Sequence, residues 1–102
     1  MTDSPVAQAQ TQSEFARLGG LNLLHAVLTN EVSHTQVQAA CSAALGHLVD
    51  AHEDNQLKVA ELGGVTAVLA GLARHPTIAE VQRDGCWAIR KLAFHPDNQV
   101  RA

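Results

Sequence analysis

A nine-residue segment occurs twice in this chain, at positions 44 residues apart. Residues 12–20 read QSEFARLGG and residues 56–64 read QLKVAELGG, with the glutamine, an alanine, a leucine and both glycines shared. The segment NQLK at 55–58 returns 43 residues later as NQVR at 98–101. Self-similarity with a fixed period of about 20–50 residues is the sequence signature of stacked repeat proteins. The sequence therefore predicts a unit of about 43 residues that is written twice in full and then begins a third time.

Each unit is predicted to contain three helices and no strand. In the second unit, Asp54 is a candidate N-cap for a short helix that ends at the double glycine. Pro76 ends a second helix because proline cannot continue one, and Thr77 is a candidate cap for a long third helix. The residues predicted to face the core in the third helices are Val37, Cys41, Ala44, Leu45 and Leu48 in the first unit, and Ile78, Val81, Gly85, Ala88, Ile89 and Leu92 in the second.

The composition excludes several classes of protein. The net charge is −3 and the isoelectric point is about 6.0. The chain therefore lacks the excess of basic residues that is typical of proteins that bind the phosphates of nucleic acids. No apolar run approaches the roughly 20 residues that span a bilayer. The first twelve residues have neither the basic nor the apolar region of a secretory signal. We expect a cytoplasmic or nuclear protein whose Cys41 and Cys86 are buried, reduced thiols.

The unit resembles an armadillo repeat in its length and in its division into three helices. The AELGGV junction and the segment EVQRDGCWAIRKLA of the third helix also resemble that repeat. The resemblance covers the chain from about residue 12 to residue 102. It implies an all-α fold, an armadillo-type right-handed superhelix (α-solenoid) with three helices per repeat of about 43 residues. The predicted organisation is a flexible or partly helical leader at 1–11, repeats at 12–54 and 55–97, and the start of a third repeat at 98–102.

In armadillo proteins the third helices line a concave groove that binds extended peptides or partner segments, and the repeats themselves do not catalyse reactions. In the nuclear-import adaptors of this family, a groove tryptophan is followed four residues later by an asparagine. Trp87 matches the tryptophan, but Lys91 stands at the asparagine position, and the first unit has Ala43 and His47 there. The resemblance therefore does not extend to binding of nuclear-import signals.

The residues themselves also mark this face of the third helix. On a helical wheel Trp87 points roughly opposite the core stripe, and five charged or aromatic residues fall on or near its side. Tryptophan and arginine are common anchors of interfaces, so this patch is predicted to bind a partner. The alternative is that Trp87 packs under a neighbouring helix and the charges are only solvated. The predicted groove residues are Trp87, Arg83, Arg90, Lys91, Glu80, Phe94, His47 and Ala43.

No pattern for metal binding, cofactor binding or catalysis is present in the sequence. His47 and His52 are five residues apart and do not share a helical face, and His75 and His95 precede prolines at loop junctions. Cys86 has no histidine within a helical turn, so it is not a candidate nucleophile. We therefore predict no enzymatic activity, no metal and no cofactor.

The predicted function is a protein-interaction module that binds an extended peptide or a partner helix along the third-helix groove. One alternative is a fragment that assembles into dimers or larger species by stacking its repeat ends, with no groove ligand. A second, weaker alternative is an RNA-binding helical repeat, but such repeats need base-reading side chains that recur from unit to unit. The corresponding faces of these two units differ, so nucleic acid is not an expected partner. A membrane is not expected either, because the chain has no apolar run of spanning length.

Overall fold

The computed structural model describes residues 4–93, and these residues form six α-helices and no strand. This arrangement confirms the all-α prediction and is compatible with an α-solenoid. Phe94 and the segment 98–102 lie outside the described residues. The helices are α1 (Pro5–Arg17), α2 (Gly20–Asn30), α3 (Thr35–Val49), α4 (Glu53–Leu62), α5 (Gly64–Arg74) and α6 (Ala79–Leu92). We call α1–α3 the first triplet and α4–α6 the second triplet.

The two triplets correspond closely in the middle of their sequences. The bounds of α2 and α5 differ by 44 residues at both ends, and each helix follows a glycine with a φ of 85°. These glycines, Gly19 and Gly63, adopt the left-handed conformation that side-chain-bearing residues rarely tolerate. The double glycine therefore acts as the predicted turn between two helices. Helix α1 begins at Pro5, capped by Ser4, and so runs without a break across the predicted end of the leader at residue 11.

The predicted helix caps were wrong, because the helices begin at other residues. Helix α4 starts at Glu53, and the Nδ1 atom of His52 accepts a hydrogen bond from the backbone N–H of Asn55 at 3.1 Å. Asp54 instead lies in the first turn, where its charge complements the helix dipole. His34 caps α3 in the same way as His52 caps α4. Helix α6 follows Ile78, which makes no side-chain cap bond, so Thr77 is not its cap.

A glutamine near the start of each third helix binds the end of the helix before it. The Nε2 atom of Gln38 donates to the carbonyls of Leu28 at 2.9 Å and Glu31 at 3.1 Å. Gln82, 44 residues later, donates to the carbonyls of Leu72 at 2.9 Å and His75 at 3.0 Å. The last carbonyls of a helix lack partners within the helix, and these amides supply them. We call this contact the glutamine latch.

Polar side chains also join the first triplet to the second. Asn55 donates from Nδ2 to the carbonyls of Gln12 and Leu48, both at 2.9 Å. Gln56 donates to the carbonyl of Val49 at 2.9 Å. Gln12 in turn donates to two carbonyls at the end of α3. Asn55, Gln56 and Gln12 are all buried. The bonds of Asn55 and Gln56 fix the start of α4 against α1 and α3, and those of Gln12 fix α1 against the end of α3.

One apolar core runs through both triplets, and α3 packs along α6 at its centre. Gly85 allows a close approach of α6 to α5, since a Cβ at this position would lie 2.7 Å from Leu72. The predicted core stripe of α6 is buried at four positions, whereas Ile89 is half-buried and Ile78 is exposed. In α3 only Leu45 of the predicted stripe is fully buried. The core cluster is Leu21, Leu28, Leu45, Val49, Val59, Ala67, Val68, Ala88 and Leu92.

Within residues 4–93, no single helix is both long and apolar enough to cross a membrane. The pair Glu53–Leu62 and Gly64–Arg74, bent by 67°, meets the length and composition requirement together.

Candidate functional site

Trp87 lies at the seam between α3 and α6, and its indole ring covers Gly46. A Cβ atom at Gly46 would collide with the six-membered part of that ring, so the tryptophan can reach this position only over a glycine. Gly46 is buried and Trp87 is half-buried. One face of the ring therefore packs on the neighbouring helix, and part of the ring reaches the surface.

His47 and Lys91 flank the indole, one from each triplet. The imidazole centroid of His47 is 4.7 Å from that of Trp87, with the rings tilted by 59°. The Nζ atom of Lys91 is 5.6 Å from a Trp87 ring centroid, within the range of a cation–π contact. His47 and Lys91 are 44 residues apart in sequence, so equivalent positions of the two third helices meet on one tryptophan.

Asp50 completes this group, which we call the Trp87 cluster (Trp87, Gly46, His47, Lys91 and Asp50). Its Oδ1 atom is 3.1 Å from the Nζ atom of Lys91. The Lys91 side chain is 19% exposed and that of Asp50 is 37% exposed. A pair this sheltered is less screened by water and salt than a surface pair. Lys91 therefore already has a carboxylate partner within the chain and is a poor candidate for binding a ligand carboxylate.

The two arginines of the predicted groove differ from Lys91. Arg83 reaches its neighbour Asp84 through Nε at 3.3 Å, with a side chain that is 73% exposed, and such surface pairs contribute little. Arg90 is exposed and has no ion pair within the described part of the chain. Glu80 is also exposed and Ala43 is half-buried. The structure thus brings Trp87, His47 and Lys91 together and leaves Arg90 open to solvent.

Two members of the cluster were missed by sequence reasoning. Gly46 carries a signal, because a glycine inside a helix costs about 1 kcal/mol relative to alanine and needs a reason such as close packing. Asp50 carries no comparable signal, since it follows the end of α3 in sequence and meets Lys91 only through the packing of the two triplets.

The two cysteines are unpaired and differ in their exposure. Cys41 is half-buried, and removal from water raises the pKa of its thiol, which disfavours the nucleophilic thiolate. The prediction that Cys86 is buried was wrong: it is exposed, because it lies on a face of α6 that no described helix covers. Across the described residues no three histidine, cysteine or acidic side chains cluster as metal ligands would.

The chain is similar to Armadillo repeat-containing protein 6 of Homo sapiens, with 35% identity over 81 residues. These residues make up 79% of this chain and 16% of that protein, so the chain spans about a sixth of the relative's length. No family model matches the sequence. No solved structure matches it either. The similarity suggests armadillo-like repeats, in agreement with the resemblance found in the sequence.

Proposed function

We propose that this chain is a non-enzymatic protein-interaction module whose two repeats, 12–54 and 55–97, are armadillo-type units of a right-handed superhelix. Residues 98–102 would begin a third unit. Three features support the proposal: the 44-residue correspondence of α2 with α5, the repeated glutamine latch, and the similarity to an armadillo repeat-containing protein. The proposed binding surface is the groove formed by α3 and α6.

The Trp87 cluster is the observation that carries the proposal. A partly exposed indole is fixed on a glycine, between an exposed imidazole and a sheltered ion pair. Such a tryptophan offers apolar area at low cost in side-chain entropy, since its position is already set before a ligand arrives. Half-buried Ala43 lies one helical turn before His47 and has a small side chain. An extended peptide or a partner helix could therefore place an apolar side chain against Trp87.

Arg90 is the cation best placed to add electrostatic specificity. It lies three residues after Trp87, on a neighbouring position of the helix surface, and it is exposed. Arg83 lies four residues before Trp87 and has only a weak surface partner. We therefore propose a ligand with an apolar side chain for Trp87 and acidic groups for Arg90 and Arg83, rather than for Lys91.

An array of synthetic peptides that pair one aromatic or aliphatic residue with flanking acidic residues tests this function. Binding is measured by the fluorescence of Trp87, the only tryptophan in the chain. We expect a hit to lose at least tenfold in affinity with Arg90→Glu, about 1.4 kcal/mol or more. Arg74→Glu makes the same charge change at an exposed arginine of α5 and should leave the affinity unchanged. Equal losses in the two variants would reject the groove as the binding site.

Self-association through the repeat ends is the second candidate function. It is favoured by exposed apolar side chains on α1 and α2, where Phe15 is 49% and Leu23 is 67% exposed, and on α5, where Leu69 is 50% exposed. Sedimentation velocity over a wide concentration range tests it, and a constant monomer mass would reject it.

For either function we propose a cytoplasmic or nuclear location, which suits unpaired thiols and can be checked by imaging a tagged chain.

A further inference from the structure

An open apolar hollow of about 450 Å³ lies on the first triplet, on the side away from the second. Its walls come from α1, α2 and α3, and almost all of its lining surface is apolar. Phe15 and Leu23 are the most exposed large side chains around it. None of the described residues covers this hollow. The lining residues are Phe15, Gly20, Leu23, Leu24, Ala44, His47 and Leu48.

The corresponding positions of the second triplet are core. Shifting six of the seven lining residues by 44 gives positions that are all buried, and only Lys91, which replaces His47, is half-buried. They are Val59, Gly64, Ala67, Val68, Ala88 and Leu92. All of them except Gly64 share one cluster with Leu21, Leu28, Leu45 and Val49 of the first triplet. Between the triplets, an apolar ridge of α2 and α3 side chains therefore packs against the part of the second triplet that corresponds to the hollow.

The two left-handed glycines show the same difference. A Cβ at Gly63 would lie 3.8 Å from the His25 ring of α2, whereas a Cβ at Gly19 would meet nothing within 4 Å. The hollow on the first triplet thus corresponds, by the 44-residue shift, to the side of the second triplet that packs against the first. No described residues pack into the hollow in the same way.

We propose that the hollow is a docking site for an amphipathic α-helix of a protein partner. The interface between the triplets defines its chemistry: leucine or valine at positions i and i+7, as Leu21 and Leu28, or at i and i+4, as Leu45 and Val49. The lining of the hollow is almost entirely apolar. A lysine or arginine on the apolar ridge of the partner helix would therefore be buried without a charged or polar partner, which strongly weakens binding. This site shares His47 with the Trp87 cluster, but its proposed ligand does not depend on the proposed ligand of the groove.

The size of one side chain argues against a second copy of this chain as the occupant. Between the triplets, Gly71 faces Gln38, and a Cβ at Gly71 would collide with the Gln38 amide oxygen. In a head-to-tail stack with the same register, Val27 would take the place of Gly71 and Gln82 that of Gln38. Gln82 is held by its latch to two carbonyls, so it is not free to move away from the valine.

Charge argues in the same direction. The face of α3 that packs against the second triplet carries the buried small residues Ala39 and Gly46. Their counterparts in α6 are the exposed arginines Arg83 and Arg90. Stacking α6 of one copy on the hollow of another would place these two cations against an apolar surface, where desolvation disfavours them. A partner helix with an uncharged ridge fits better.

A side-chain-bridged synthetic helix with leucines at i, i+4 and i+7 is the probe that tests the proposal. We expect saturable amide and methyl shifts in the nuclear magnetic resonance spectrum of the full chain, centred on Leu23, Leu24, Ala44 and Leu48. Leu23→Glu should weaken binding at least tenfold, and because this side chain is 67% exposed the fold should be retained. Asn22→Glu adds the same charge at the adjacent exposed position and should leave binding unchanged. A peptide with arginine at i+4 should also bind at least tenfold more weakly.

Three outcomes would overturn the proposal. The first is no shift up to the solubility limit of the probe, with circular dichroism showing that the chain is folded. The second is equal binding to the Leu23→Glu and Asn22→Glu variants. The third is concentration-dependent dimerisation of the unmodified chain that Leu23→Glu abolishes, which would assign the hollow to a second copy. Failure of the groove proposal appears separately, as insensitivity of acidic-peptide binding to Arg90→Glu.

Discussion

Helices α3 and α6 occupy equivalent places in the two triplets, yet the corresponding face carries different residues on each helix. On α3 this face carries Ala39, Ser42 and Gly46, all buried against the second triplet. Shifted by 44 residues, the face of α6 carries Arg83, Cys86 and Arg90, all exposed. At two of the three positions, a small residue where α3 is covered is thus replaced by an arginine where no described helix covers α6. Both helices have the same period, and the size of the side chains on this face indicates whether another helix packs against it.

The largest expected effect comes from the core pair of this comparison, Leu45 and its counterpart Ile89. Leu45 is 2% exposed and lies in the central cluster, so Leu45→Ala should lower the free energy of unfolding by about 2–4 kcal/mol. Ile89 is half-buried at the edge of that cluster, so Ile89→Ala should cost clearly less. Urea unfolding followed by circular dichroism measures both. Equal losses would mean that the open face of α6 is covered in solution.

The next effect concerns Gly46 and Arg90. Gly46→Leu would force the Trp87 ring off α3, and overpacking of this kind costs about 1–3 kcal/mol. Arg90→Leu, the matched change at an exposed position, should stay within about 0.5 kcal/mol of the unmodified chain. The emission of Trp87 should shift to longer wavelength only in the first variant. An unchanged spectrum in Gly46→Leu would contradict the packing described for Trp87.

A kinetic difference should separate the two cysteines. Cys41 is half-buried with a raised thiol pKa, whereas Cys86 is exposed on the uncovered face of α6. Iodoacetamide should therefore modify Cys86 well before Cys41, as followed by mass spectrometry of proteolytic fragments. Faster modification of Cys41, or protection of Cys86 that rises with protein concentration, would show that this face of α6 is covered.

The smallest effect is expected at the charge pair of α1. Glu14 binds Arg17, and this hydrogen bond lowers the pKa of the Glu14 carboxyl, whereas the corresponding residues of α4 are Lys58 and Glu61 in the opposite order. A lowered folded-state pKa gives stability that is present above the unfolded pKa and is lost as the pH falls through the folded value. Glu14→Gln should therefore slightly flatten the acid side of the stability–pH curve. Both groups are solvent-exposed, so a large change would contradict this account.

The sequence predicted the helical class and the double-glycine turn, because each depends on local periodicity or on a backbone conformation that favours glycine. It did not predict the exposure of Cys86 or Ile78, because periodicity marks a face without telling whether another helix covers it. The helix caps were misplaced by one or two residues, since histidine caps α4 in place of the commoner aspartate and α6 has no side-chain cap bond. The pairing of Lys91 with Asp50 depends on the relative placement of two triplets and has no local signature.

The glutamine latch has a consequence for how these repeats can diverge. Gln38 and Gln82 bind carbonyl oxygens, so the contact depends on the path of the main chain and not on which side chains that path carries. The connections before the third helices are accordingly unlike, with EVSH at 31–34 and HPTI at 75–78. Selection can therefore rewrite these loops, and place new recognition chemistry on them, without removing the bond that joins the second helix to the third.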